Sequence, residues 1–545
     1  MNKRLITIII TGLIIEGLCV AIASIGDIKE NIPGFSFLYT ASFIVYVFAI
    51  FYVSKNAKDS KEAENAVIQY QVDNHPSSPP SQGGDKGEVI KSNRIPLDIV
   101  QLREKYSKKI LWTVLIFSLI FRLTLLPATP SGDLYRYLWE GKLQLNWLNP
   151  YSLPPESSSL EGLRDSFFSG ITHKHLTTIY PPLTLMVFAM ADYVSHSFLS
   201  MKSAFLLFDV LTIFVIVRFL RVMGKDPINV LIYAWSPLVL ISFAVKGHCD
   251  SLQIFLVVLS LYLFSIRRNL KSVISIGLAA MSKFVFIIVA PFLIPRGKLK
   301  YLAVLPLVIA ILYLPYIGAG KGLFSTLLHF GTQYHYNDSA HFLIFCLSLG
   351  SPLISRIITS MIFVTVLLYL YKKYMSLLVT DDNNNPPLFR PFSNPPPCQT
   401  RPRLYQNGQA NGRQVSPFSK GGYGRFREIN DAILKFAFMS IGTFLILSPT
   451  VHPWYLTWIV PFLCFNNNWA WLVLTGTVVF YYFMNHNLFS TLIEYNNERV
   501  WQEVHWLKLP EYVPFYGLLI YGWLVKKNFT LRTLWLNRNF IGGRS

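Results

Sequence analysis

The chain has 545 residues, of which 52% are hydrophobic and only 14% charged. Soluble domains carry about 25% charged residues, so this composition excludes a soluble enzyme, a disordered chain and a collagen-like fibre. The net charge of +20 would suggest nucleic acid in a soluble protein, but basic residues also collect on the cytoplasmic side of membrane proteins.

A membrane span needs about 20 mostly apolar residues. The candidate spans in chain order are residues 5–24, 37–53, 110–126, 203–219, 230–244, 251–265, 301–317, 354–371, 432–447, 455–465, 470–483 and 513–525. They predict an all-α polytopic membrane protein with about twelve transmembrane helices. With the N-terminus in the cytoplasm, Arg218 and Arg221, then Arg267, Arg268 and Lys271, then Lys372 and Lys373, then Lys526 and Lys527 all fall inside. That agreement fixes the expected orientation. Two apolar segments break the alternation. Residues 180–194 read as an interfacial or partly inserted helix. Residues 274–294 lie between basic patches at 267–271 and 296–300, and read as a re-entrant pair of half-helices with Lys283 between them. Two further full spans are the blander reading. The basic start, apolar run and Ala21-Ile22-Ala23 triplet also fit a signal peptide, although Glu16 interrupts the run.

Two segments of different composition, about 56–94 and 380–427, are rich in Pro, Gly, Ser and Asn. Such sequence buries too little apolar surface to order itself. They share a weak echo, Ser78-Pro-Pro-Ser-Gln-Gly-Gly84 against Ser416-Pro-Phe-Ser-Lys-Gly-Gly422. The expected organisation is an N-terminal hairpin (1–54), accessory in character, and a cytoplasmic linker (55–108). A core (109–373) follows, with an outside loop at 128–180. An insertion (374–429), C-terminal spans (430–527) and a basic tail (528–545) complete the chain. The five cysteines show neither metal-ligand spacing nor a disulfide framework.

Polar residues concentrate in the expected outside turns. After the third span the chain reads Pro130-Ser-Gly-Asp-Leu-Tyr-Arg-Tyr-Leu-Trp-Glu-Gly-Lys142, then Leu148-Asn-Pro-Tyr151, then Thr178-Ile-Tyr-Pro-Pro-Leu183. Helical spacing from Asp133 puts Arg136, Tyr137 and Glu140 on one face, as in an amphipathic interfacial helix presenting them above the bilayer. A plain solvated face with a helix cap at Ser131 fits the same pattern. Gly247-His-Cys-Asp250 stands at another outer end, where Asp250 also fits a helix cap. Tyr334-His-Tyr-Asn-Asp-Ser339 and Ser448-Pro-Thr-Val-His-Pro-Trp-Tyr455 are outside too. The aromatics of the last turn fit an interfacial belt, but His452 is not required by one.

These residues resemble the GT-C superfamily of polytopic glycosyltransferases. The nearest likeness is to the bacterial mannosyltransferase-like branch related to the catalytic subunit of GPI mannosyltransferase I. The motifs that carry it are Gly132–Lys142 with Asn149-Pro-Tyr151, Tyr180-Pro-Pro182, Gly247–Asp250, Met281-Ser-Lys283, Tyr336–Ser339 and His452–Tyr455, over about residues 109–485. The resemblance implies an integral membrane enzyme of a bacterial plasma membrane, with its active site on the extracytoplasmic side. It would move a hexose, mannose foremost, from a polyprenyl-phosphate donor to a lipid-linked or extracytoplasmic glycan acceptor. Membrane lipid, donor and glycan or glycolipid acceptor are the implied partners, and nucleic acid is not one. The family's loop often carries Asp-x-Asp, whereas Ser131-Gly132-Asp133 supplies one acid, so a divalent metal stays open as a cofactor without the support of a full motif, and no other cofactor is expected. Asp133 is then the expected catalytic base and Glu140 the second catalytic acid.

Arg136 and Lys283 are expected on the lipid phosphate, although a lysine at a span end also snorkels. Tyr137, Asn149, Tyr151, Tyr180, His248, Asp250, Asn337, His452 and Tyr455 are the remaining expected substrate contacts. A polytopic transporter or lipid-linked glycan flippase, and a membrane glycan polymerase or ligase, are the competing readings. The transporter reading expects paired interrupted helices and midplane charges, where the sequence displays one interruption and Glu16 as the clear intramembrane acid.

Overall fold

The computed structural model describes residues 3–73, 97–294, 301, 303–379, 418–485, 491–495, 498–501 and 503–541. Most of both low-complexity insertions, the basic patch at 296–300 and the repeat at 78–84 lie outside the described residues. Helix α1 is Lys3–Ser24, α2 Ile32–Asp73, α3 Leu97–Leu125, α4 Asp133–Leu145, α5 Pro182–Val194 and α6 Phe198–Val222. Among the described residues the remaining regular elements are helical apart from one antiparallel hairpin, Leu492–Tyr495 with Glu498–Trp501. Helix α2 thus continues into the expected linker. Residues 56–73 contain no Pro or Gly and are rich in Ala, Lys and Glu, which favour helix.

Among the described residues five helices are long and apolar enough to cross a membrane, and two bent pairs raise the number to seven. Other apolar runs expected as spans form shorter helices. Asp250–Ser265 has 16 residues, a rise of about 24 Å against a hydrocarbon core of about 30 Å. The expected simple span at 230–244 is broken, with Pro227–Ala234 and Pro237–Val245 bent by 55°. Pro237 removes a backbone donor at the break. The run at 301–317 also continues into a 98° bend, between Val304–Ala319 and Gly322–Thr332, at Gly320 with φ +51°. Interruption is therefore commoner than the sequence alone suggested.

The segment Asn269–Ser282 packs back along Asp250–Ser265. The Ser260 hydroxyl donates to Ser272 O at 2.8 Å and Ser275 donates to Leu256 O at 2.8 Å. This pairing returns Lys283 to the level of Asp250. The backbone at Lys283 is extended, and a 3₁₀ helix, Phe284–Leu293, follows. Helix α5, with 13 residues, is too short to span the core.

The N-terminal hairpin is sewn to the rest. Tyr46 donates its hydroxyl to Ile232 O at 2.6 Å and Tyr39 to Thr475 O at 2.5 Å. Trp235 wedges edge-on against Phe117 and Phe121 and donates Nε1 to Val114 O at 2.9 Å. Within the apolar bundle, Arg122 Nε bonds Asp209 Oδ2 at 2.6 Å, and both side chains are fully buried. Arg122 also reaches Ser118 and Ala234 O, and the Tyr233 hydroxyl donates to Asp209. Glu16, which accepts from Thr124 at 2.5 Å, is therefore joined by Asp209 as a second acid inside the bundle.

Candidate active site

Two turns of chain build the mouth of the site. Ser131 donates its backbone N–H to Lys246 O at 3.0 Å, which ties the loop before α4 to the turn 246–250. Gly247 holds φ +70°, and a Cβ there would meet Lys202 Cγ at 2.8 Å and Leu134 Cδ1 at 3.1 Å. The glycine thus permits the close approach that sets His248 beside Asp133. His248 Nδ1 lies 3.3 Å from Asp133 Oδ2. That contact is a charge neighbour and not an aligned hydrogen bond, since Nδ1 has no hydrogen-bond partner. The Ser131 hydroxyl accepts the Asp133 N–H at 3.3 Å, but the N-cap of α4 is Gly132, with no side-chain cap bond, so the expected cap at Ser131 is corrected. The Asp133 side chain nevertheless keeps 36% exposure, at the open side of a dense wall.

The wall is aromatic. The His248 ring stacks on Trp454 at 3.9 Å, and Trp454 stacks on His452 at 4.4 Å. His452 Nδ1 is 2.7 Å from the Tyr481 hydroxyl. Burial pushes the Asp133 carboxyl up, but the His248 contact and the Lys283 charge outweigh it and hold it below the usual carboxylate range. Burial lowers His452 to about 4, so its imidazole is neutral at pH 7.

The second acid of the site is closed. Asp250 opens its helix but makes no cap bond. Its Oδ1 accepts instead from Lys283 Nζ, Gln253 Nε2 and Trp458 Nε1, each at 2.8 Å. Lys283 stands over the rings of Tyr455 at 4.1 Å and Trp458 at 4.7 Å. Its side chain keeps 29% exposure, and Asp250 and the two rings orient its ammonium.

The other expected residues are engaged by protein partners. Arg136 Nε bonds Glu140 Oε1 at 2.7 Å, and its remaining nitrogens donate to His173 O and Leu176 O. Thr178 donates to Glu140 Oε2 at 2.7 Å. Burial raises the Glu140 carboxyl against the lowering pull of Arg136. Tyr137 is buried, stacked on Phe188 at 4.3 Å and edge-on to Tyr180. The expectation that α4 presents a guanidinium and a phenol upward is corrected: of this face only Asp133 opens. Asn149 Nδ2 donates to Tyr316 O at 2.9 Å, and Tyr151 donates its hydroxyl to Tyr180 O at 2.7 Å. Asn337 is fully buried and bonds Val451 O and Glu511, away from Asp133 and Lys283 in its contacts.

The site brings together Asp133, His248, Asp250, Lys283, His452 and Tyr455. Sequence reasoning missed Trp454, Trp458, Gln253 and Tyr481. Trp454 stood inside the quoted His452-Pro-Trp-Tyr motif, and Gln253 lies one helical turn after Asp250.

Residues 99–296 match the model of a family described as alpha-(1->6)-mannopyranosyltransferase, N-terminal domain. The matched stretch contains Asp133, His248, Asp250 and Lys283, and ends before Asn337, His452 and Tyr455. The match supports a mannosyl glycosyltransferase. No curated protein and no solved structure matches the chain.

Proposed function

Starting from a mannosyltransferase domain laid on a bundle of apolar helices, we propose that the chain transfers mannose from a polyprenyl-phosphate donor to a glycan or glycolipid acceptor. The family description at 99–296 favours an α-(1→6) linkage. Within the GT-C superfamily, motif order favours the branch related to the GPI mannosyltransferase I catalytic subunit. We place the recess on the extracytoplasmic face of a bacterial plasma membrane, because the basic span flanks fall on the opposite side.

The observation that carries this reading is one partly open carboxylate, Asp133, held in its ionised form within electrostatic reach of one oriented ammonium, Lys283. Asp133 accepts the proton of the acceptor hydroxyl as its oxygen bonds the anomeric carbon. The bond from that carbon to the phosphate oxygen breaks, and the electron pair leaves with the lipid phosphate. Lys283 stabilises the phosphate charge as it grows. A single displacement of this kind inverts the anomeric centre. Neutral His452 and the Trp454 edge line the acceptor side, while Asp250 holds Lys283 in place. Glu140 and Arg136 act as framework.

The transporter reading gains no support from the intramembrane charges, because Arg122 and Asp209 satisfy each other and their neighbours. The test is a panel of polyprenyl-phosphate sugars given to membranes carrying the chain. Transfer from the mannosyl donor is expected, with Asp133→Asn as the dead control. Transfer from another sugar only, or an Asp133→Asn variant at the parent rate, overturns the reading.

A further inference from the structure

Beyond the recess lies a second buried polar cluster that the reaction does not use. It joins the loop 334–341, the turn 448–452 and the start of the C-terminal helix Lys508–Ile541. Tyr336 and Thr450 form a parallel bridge, with Tyr336 N–H donating to Pro449 O and Val451 N–H to Tyr336 O, each at 2.9 Å. The Val451 carbonyl accepts from Asn337 Nδ2 at 3.1 Å. Both backbone groups of Val451 are thus held, and the next residue is His452.

Asn337 Nδ2 also donates to Glu511 Oε1 at 3.0 Å, and the Tyr512 hydroxyl donates to Asn337 O at 2.9 Å. The bond to Val451 O settles which end of the Asn337 amide is nitrogen, since the flipped amide would set oxygen against oxygen. Two acceptors of this pair remain buried with no partner: Asn337 Oδ1 and Glu511 Oε2. Buried polar atoms without partners are costly.

We propose that Glu511 is held as a neutral acid whose Oε2–H donates to Asn337 Oδ1, closing a two-bond acid–amide pair that positions the Val451–His452 turn against the recess. Glu511 and Asn337 are positioning residues in this account, which rests on the proposed function for its effect on transfer. The C-terminal helix, outside the family match, thereby completes the site.

The charge environment agrees. Burial raises the Glu511 carboxyl to about 8, against the lowering pull of Asn337, Tyr512 and Lys508. Glu511 lies in the first turn of its helix, ahead of the apolar run 513–525. Lys508 and Tyr512 face it from its own helix, Asn337 from the loop and Tyr39 from α2. Lys508 is itself engaged by Asp338 at 2.6 Å and Glu503 at 2.9 Å, and Asp338 by His341 at 2.6 Å. His335 and His505 stand 3.8 Å from Glu503 on its outer side.

Because the folded value lies above the ordinary value of 4.5, the pair's contribution is full below that pH and is lost as pH rises through about 8. The experiment compares the full-length chain with Glu511→Gln, whose amide supplies both bonds without a titrating proton. For the parent, Tm is expected to fall across that window, kcat to fall through about pH 8 with donor KM steady, and an infrared band of a protonated carboxylic acid to be present. In Glu511→Gln both pH dependences flatten and the band is gone. Asn337→Asp lowers kcat at least tenfold at neutral pH. A glutamine variant that keeps the parent's band and pH slopes overturns the proposal. If no donor is used at all, the function fails, while Tm and the infrared band still decide the pair.

Discussion

Asp133 and Glu140 stand two turns apart on one face of α4 and meet opposite fates. Asp133 keeps 36% of its side-chain surface and an oxygen free for a ligand, with His248 nearby but unaligned. Glu140 has both oxygens taken, by Arg136 and Thr178, and its side chain is 2% exposed. A carboxylate saturated by protein donors stabilises its surroundings, whereas one with open capacity accepts a proton from a substrate. Both are carboxylates on one helical face, so under the proposed function what separates chemistry from framework is which donors the rest of the chain delivers.

The sharpest way to break that comparison is to neutralise each acid without changing its shape. Asp133→Asn removes the proton acceptor and is expected to cut transfer by roughly 10²–10⁴-fold, the scale of general-base catalysis. Its thermal unfolding should stay close to the parent's, because few protein bonds depend on it. Glu140→Gln is expected to do the reverse. It leaves Arg136 as a buried charge without its counter-ion, which costs about 3–5 kcal/mol. Folded yield and Tm should drop, while the protein that does fold retains base-dependent transfer. A Glu140→Gln variant with parent-like Tm and no transfer would make Glu140 a reacting group and erase the distinction.

Lys283 tests the same idea from the cationic side. Lys283→Met removes the ammonium that Asp250 and the two rings orient. Donor KM should rise about tenfold, equivalent to about 1.4 kcal/mol, the scale of a single charge-assisted hydrogen bond. Steady-state kinetics with varied donor and fixed acceptor measures it. An unchanged donor KM would remove Lys283 from the phosphate site and leave it as the partner of Asp250 alone.

Much of the site was legible because charge beside an apolar run stands out. Asp133, His248 and Asp250 each stand in a polar turn beside an apolar run, Lys283 interrupts one, and they converge in space. Their division of labour was not legible. Arg136 is spent on the carbonyls of His173 and Leu176, nearly forty residues on, and no local pattern announces that closure. Trp454 reads in sequence as an interfacial belt residue, yet it is the plate between two imidazoles. Asp209 is a lone acid in an apolar helix, and its partner Arg122 lies on a helix 87 residues earlier in the chain. Helix breaks were partly readable: the interruption at Lys283 stood out between two basic patches, whereas the bend at Ser236-Pro237 lay unread inside an expected simple span.

The smallest expected effect lies in the framework that carries these residues. Tyr151 donates its hydroxyl to Tyr180 O, and Asn149 anchors the same turn to Tyr316 O. Tyr151→Phe keeps the ring, which packs edge-on against Tyr316, and deletes one hydrogen bond. The Tyr180 carbonyl is then left without that donor, a loss of about 1 kcal/mol. Chemical unfolding should register a shift of that size, with kcat and both KM values unchanged within about twofold. A loss of transfer beyond about tenfold at unchanged stability would mean that the Tyr151 hydroxyl touches substrate. The open surface of the site would then extend from Asp133 along the loop to residue 151.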